Sequence, residues 1–315
     1  MKNFKIICGK HGRKSTKMLF EKITNSNTEH VLKSTVLNAF VYRTNKENLK
    51  LRKIVKGFKA PDCKNSIVAR WGWYGEIETD NSSIVYNKAE AIKLSNSKGQ
   101  CRKFLESKGI DVPKTYLLNE IDELLANDAL QYPIIARPEH HGQGMFLYKC
   151  ENSGEIKEAI AKGATYFSHV YPKTEEYGVH IAHSKVLAVV RKPAPDDLNQ
   201  IAWNRAQNDK PFELIPQAEY KNYICKLALR AGKEIGIDFG RVDVMVQKTD
   251  KNLPKAVICE LNTAPTLTST PYVLERWTKY FNKLANSDKR IEHWDFEQFE
   301  KAESLAWKEN QLLAD

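Results

Sequence analysis

The alternation of apolar and polar positions is sharpest between Gly236 and Thr270. Val242 to Gln247 and Ala256 to Leu261 are runs rich in β-branched residues, and the segment between them (Lys248 to Lys255) carries turn chemistry in Asp250, Asn252 and Pro254. This predicts a β-hairpin. Strand residues alternate faces, so Arg241, Asp243 and Met245 should share one face, and Ile258, Glu260 and Asn262 one face of the partner. Upstream, short apolar runs predict strands at Phe4–Cys8, Thr35–Tyr42, Ser66–Arg70, Pro133–Ala136, Met145–Tyr148 and Thr165–Tyr171. A further strand is entered at Val112-Pro113, and a second hairpin is predicted from Val179–Ala182 and Lys185–Arg191 around His183-Ser184. Helical spacing marks Ala89–Leu94, Ser97–Ser107 (closed by Gly109), residues 155–163, the stripe Tyr223, Leu227, Ala231 and Ile235, and residues 271–283 and 295–313. The predicted order is a small α/β unit over residues 1–90, a larger α+β unit over 91–270 and a helical extension over 271–315.

Composition narrows this reading. The chain has 315 residues, 42 % hydrophobic and 28 % charged, enough to fold without metal or disulfide staples. No apolar run approaches the ~20 residues of a membrane span. The opening MKNFKIICGKHG has too short an apolar stretch for a signal peptide. The six cysteines form no CxxC pair and fall in apolar patterns, which points to reduced thiols in a cytoplasmic protein. A net charge of +10, from 49 basic and 39 acidic residues, suits an acidic partner such as a nucleotide, nucleic acid or acidic peptide, or simply a lysine-rich solvated surface.

If the two hairpin faces coincide, Asp243, Glu260 and the amide oxygen of Asn262 converge. Three hard oxygen ligands suit Mg²⁺, which usually takes one or two carboxylates and leaves its other positions to water and phosphate. The plain alternative is the polar side of an amphipathic hairpin. The surrounding residues, DFGRVDVMV followed by CELNTAPTLT, resemble the last two strands of the ATP-grasp superfamily. Within it they resemble the carboxylate–amine and carboxylate–thiol ligases, which include the ribosomal-protein-modifying glutamate ligase and related phage proteins.

The resemblance spans about residues 85–272 and implies an α/β fold with a small N-terminal domain and two subdomains clamping ATP. It implies two Mg²⁺ (or Mn²⁺) ions on Asp243, Glu260 and Asn262. Lys98 and Arg137 would contact phosphates, as would Gly142 and Gly144 in the loop Glu139–Gly144. His169, Lys173, Glu175 and Glu176 would lie along the adenine and ribose. Either Arg191 or Lys192 should point into the cleft, since neighbours on a strand face opposite ways, and Asn204 would orient substrate. The implied activity is an ATP-dependent ligase: an acyl phosphate forms, an amine attacks it, and ADP and phosphate leave. The acid and amine are not legible. A homodimer and an association with nucleic acid both stay open, as does a nucleotide-binding protein without turnover. Two departures motivate that last alternative, because Gly178 and Trp203 stand where the related pattern often has arginine. His180 and His183 have the look of a metal pair, but His183 falls at the predicted turn.

Overall fold

The computed structural model describes residues 3–8, 14–16, 18, 19, 22, 60, 62–139, 146–197, 200–203, 208, 210–216, 219, 221–248, 254–267, 271–287 and 289–291. The predicted strand at Thr35–Tyr42, the loop residues His140, His141, Gly142 and Gly144, the pair Asn204 and Arg205, and the predicted helix over 295–313 lie outside them.

The chain opens with β1 (Asn3–Cys8), β2 (Ser66–Trp71) and β3 (Ile84–Tyr86), which pair in parallel in the order β1-β2-β3. All of β2 is buried, as a strand covered on both faces should be. Two helices follow almost without a break, α1 (Ala89–Asn96) and α2 (Lys98–Ser107). A second sheet is built from β4 (Thr115–Leu117), β5 (Ile134–Arg137), β6 (Tyr148–Cys150) and β7 (Tyr166–His169), in the order β4-β7-β5-β6. Helices α3 (Leu118–Ala126) and α4 (Ser153–Ala161) pack on it around Ile121, Ile134, Ile156 and Phe167.

The third sheet is the largest. It contains β8 (Glu175–Ala182), β9 (Lys185–Lys192), β10 (Glu213–Ile215), β11 (Phe239–Gln247) and β12 (Lys255–Asn262), ordered β10-β9-β8-β11-β12. Between β10 and β11 runs α5 (Asn222–Ile235), and α6 (Pro271–Ala285) follows β12. The apolar stripe of α5 buries Ile224, Ala228, Ala231 and Ile235, against Val179, Val242, Val244 and Ile258 on one face of the sheet. Each fully buried valine or isoleucine among them contributes about 1.5–3 kcal/mol. The helix stops at Gly236, whose φ of 81° is left-handed and suits a residue without Cβ.

The opposite face carries an aromatic core in which Trp71, Phe239, Trp277, Tyr280 and Phe281 meet, mostly edge-on with Trp71 stacked on Phe239, and join the first sheet to α6. Asn87 ties the same two parts together. Its side chain accepts from Asp238 N (2.8 Å) and Phe239 N (3.2 Å) and donates to Phe239 O (3.0 Å) and Arg70 O (3.3 Å). The six cysteines remain thiols, and five of them are buried. Among the described residues no helix is long and apolar enough to cross a membrane.

Candidate active site

The upper ends of β8, β9, β11 and β12 place their face-sharing residues side by side. Antiparallel pairing puts Asp243 opposite Glu260 on β12 and opposite Gly178 on β8, and Glu176 opposite Lys192 on β9. Asp243 is 1 % exposed. Its carboxylate accepts from Arg241 Nε (2.7 Å) and Nη2 (3.0 Å) and from Lys192 Nζ (2.8 Å). Lys192 also pairs with Glu176, and Glu176 with Lys173. On β12, Glu260 pairs with Lys98, the first residue of α2, and accepts from Asn262 Nδ2 at 2.9 Å.

Four cations and three carboxylates thus interlock in one buried cluster. Burial alone would raise the Glu176 carboxyl, but the ammoniums of Lys192 and Lys173 outweigh it and hold it down at about 2. Burial also opposes ionised Glu260, and Lys98 and Lys192 hold it well below the usual carboxylate range. Burial would lower Lys192, while Asp243 and Glu176 carry it upward. Glu176, Glu260 and Lys192 therefore stay charged at neutral pH.

The hairpin alternation holds with one change. A β-bulge lies between the pairs Asp243–Glu260 and Val244–Ile258, so Cys259 is the extra residue of β12. Ile258 consequently packs in the core with Val244 instead of sharing the face of Glu260. Arg102 on α2 holds the bulge by donating from Nε to the Cys259 carbonyl at 2.9 Å.

Two expected site residues are corrected. Arg191 points away from the cluster and pairs with Glu213, its side chain 45 % exposed. Of the two neighbours on β9 it is Lys192 that turns inward. Glu175 also lies on the far face, paired with Lys221 and Lys248, because it alternates with Glu176. His169 turns its ring to the Tyr116 hydroxyl at 3.1 Å, within the second sheet. Arg137 ends β5, half-buried, with no hydrogen-bond partner for Nε among the described residues. Two residues on, Glu139 Oε1 accepts from the N–H groups of Gly99 (3.1 Å) and Gln100 (3.3 Å) and so docks this loop on the first turn of α2. His180 accepts from Trp277 Nε1 (3.1 Å), and His183 meets the Tyr280 hydroxyl (3.0 Å), so both rings are engaged with α6.

Arg241 is the site residue that sequence reasoning passed over. Alternation put it on the face of Asp243, but nothing in the pattern separated it from Met245. Its neighbour across the strand explains how it fits. A Cβ on Gly178 would stand 3.0 Å from Arg241 Cδ and 3.0 Å from Val190 Cγ2. The bare backbone at 178 leaves the groove through which Arg241 reaches Asp243. A cation thus stands beside position 178 although the residue there is glycine.

No group of three His, Cys, Asp or Glu side chains able to hold a metal occurs among the described residues. The donor set of Asp243, Glu260 and Asn262, two carboxylates and an amide oxygen, nonetheless fits Mg²⁺, which draws its remaining ligands from water and phosphate.

A family model described as the D-Ala–D-Ala ligase C-terminus matches residues 104–281. This chain belongs to that family. The match covers the strands of the second and third sheets, the charged cluster apart from Lys98, and α6 as far as Phe281. Relatives in the family include a D-alanine–D-alanine ligase of Fusobacterium nucleatum, 24 % identical over 184 residues, which cover 58 % of this chain and 61 % of that protein. Another, from Pseudomonas putida strain GB-1, is 27 % identical over 187 residues, covering 56 % and 57 %. The chain thus spans about three fifths of the length of these relatives. Among solved structures, the ATP-grasp ligase PsnB with a minimal precursor, Mg and ADP superposes with a TM-score of 0.60 at 13 % identity, covering 90 % of this chain and 97 % of that one. The D-alanine–D-alanine ligase of Bacillus anthracis with ATP gives 0.54 at 17 % identity, covering 90 % and 94 %. The fold is the ATP-grasp fold.

Proposed function

We propose that this protein is an ATP-dependent ligase that joins a carboxylate to an amine and releases ADP and phosphate. The observation that carries the reading is the buried constellation of Asp243, Glu260 and Asn262 interlocked with Lys98, Lys192 and Arg241. A carboxylate is a poor electrophile because its leaving group would be an oxide. Transfer of the γ-phosphoryl group to a carboxylate oxygen gives an acyl phosphate, and attack of an amine nitrogen on the acyl carbon expels phosphate and leaves an amide after loss of a proton. The protein's task is positioning and charge stabilisation.

Lys98 and Lys192 come from different elements and flank the cluster, so they can meet phosphate oxygens from two sides. Arg241 offers a planar guanidinium to the oxygens that gain charge in the transition state. Asp243, Glu260 and Asn262 would hold one or two Mg²⁺, or Mn²⁺, which would supply neutralising charge to the phosphates. Arg137, Gly142, Gly144, His169 and Asn204 remain proposed contacts on the strength of the family pattern. The names of the relatives point to two substrate classes, a small amino acid and a precursor peptide.

Thermal melting with Mg²⁺-ATP tests the reading. At about 100 times Kd a ligand adds ~2.7 kcal/mol, a rise of about 4 °C for a chain of 315 residues. The wild type should show a metal-dependent rise, Glu260→Ala should lose it, and ADP release with a matched acid and amine should vanish in the same variant. A wild type that is indifferent to Mg²⁺-ATP would refute the proposal.

A further inference from the structure

Trp203 comes from the connection between β9 and β10 and is only 7 % exposed. Its ring covers the Lys173 ammonium, with Nζ 4.6 Å from the ring centroid. Lys173 itself belongs to the link between β7 and β8 and pairs with Glu176, both side chains being nearly buried. Glu176 holds Lys192, and Lys192 holds Asp243. Trp203 therefore roofs the outer end of a continuous ion-pair chain that reaches the proposed metal ligands.

We propose that Trp203 is a positioning residue for nucleotide binding: its ring pins the Lys173 ammonium against Glu176 and keeps water off the chain, so that an anionic ligand meets a cation already in place. This rests on the nucleotide reading above. A lysine side chain held only by a carboxylate keeps several rotamers. An aromatic face on its other side attracts the ammonium through the ring quadrupole and removes the alternatives. Excluding water also lowers the local dielectric and strengthens each link behind it. If Trp203 merely filled space, an aliphatic side chain of similar bulk would serve and its effect would not depend on Lys173.

A double-mutant cycle decides between these roles, with ADP plus Mg²⁺ as the probe and calorimetric Kd on the full chain as the readout. Trp203→Leu should weaken ADP binding by about five- to tenfold, while Trp203→Phe, which keeps an aromatic face, recovers most of the loss. In a Lys173→Met background, Trp203→Leu should change Kd by less than about twofold. As a second measurement, the ADP-induced change in tryptophan emission should be present in the wild type and lost in both Trp203→Phe and Lys173→Met. The proposal is overturned if Trp203→Leu binds ADP like the wild type, if it weakens binding equally with and without Lys173, or if Lys173→Met leaves the emission change intact. Absence of ADP binding in the wild type would instead overturn the nucleotide reading, and this inference with it.

Discussion

Removing Lys192 tests the electrostatics of the cluster directly. Its ammonium is shared by Glu176 and Asp243, which are both almost fully buried. Lys192→Met keeps the length of the side chain and deletes the charge. Leaving buried carboxylates without their cation costs about 3–5 kcal/mol, which lowers Tm by about 5–8 °C in a chain of 315 residues. The depression of Glu176 from 4.5 to about 2 gives an independent scale: at about 1.4 kcal/mol per unit it corresponds to roughly 3 kcal/mol, shared between Lys192 and Lys173.

The pH dependence has a definite sign. A carboxylate with a depressed folded value contributes stability that is complete above its unfolded value, near 4.5, and is lost as pH falls through about 2. Lys192 is raised from 10.5, so its contribution is complete below that value and lost as pH climbs through the folded one. The difference in Tm between wild type and variant should therefore be flat from about pH 5 to 10 and should narrow on both sides. Lys103→Met is the control, since Lys103 pairs with Glu120 and Glu106 at the surface and should cost under about 1 kcal/mol. Calorimetric melts across pH check this. A Lys192→Met variant that melts within about 2 °C of the wild type at pH 7.5, or a gap that does not shrink below pH 4, would refute the account of the cluster.

Two further perturbations probe the geometry. Gly178→Val should place its Cβ against Arg241 Cδ and Val190 Cγ2, both 3.0 Å from that position. We expect at least about a tenfold fall in kcat with the fold retained, measured as ADP release beside a circular dichroism spectrum; unchanged kcat would mean Arg241 has no part in the reaction. Asn87→Ala leaves two backbone N–H groups and two carbonyls where the first sheet meets β11 without their partner. It should lower stability by about 2–4 kcal/mol in a urea titration, and a midpoint equal to the wild type would show that water replaces the amide without cost.

Periodicity carried much of this structure into the sequence. The stripe Tyr223, Leu227, Ala231 and Ile235 lies on α5, which ends at Gly236, and the two predicted hairpins form, each with one irregularity in its register. What escaped were features that depend on distant partners. The bulge at Cys259 is set by Arg102, more than a hundred and fifty positions away, and no local pattern shows it, so Ile258 was assigned to the wrong face. The choice between Arg191 and Lys192 needed the register of β8 and β9, and Glu175 was misplaced for the same reason. Elements as short as β3 and β10, three residues each, lack enough residues to establish a period. The role of Arg241 is invisible until Gly178 is seen beside it.

Asn87 grips its neighbours almost wholly by main-chain atoms, the N–H and C=O groups of Phe239, the N–H of Asp238 and the carbonyl of Arg70. The side chain of Asn87 is thus blind to side-chain identity, and only its own N–H reads one, donating to Asp238 Oδ2 at 2.6 Å. It works as a socket: a strand with the path of β11 that keeps Asp238 and the aromatic ring at 239 would receive it. The parts on either side can then diverge at different rates, or be exchanged by recombination, as long as Asn87, Asp238 and the aromatic contacts of Phe239 persist. A chimera joining residues 1–88 of this chain to the matching portion of a relative offers a practical route to altered acceptor choice.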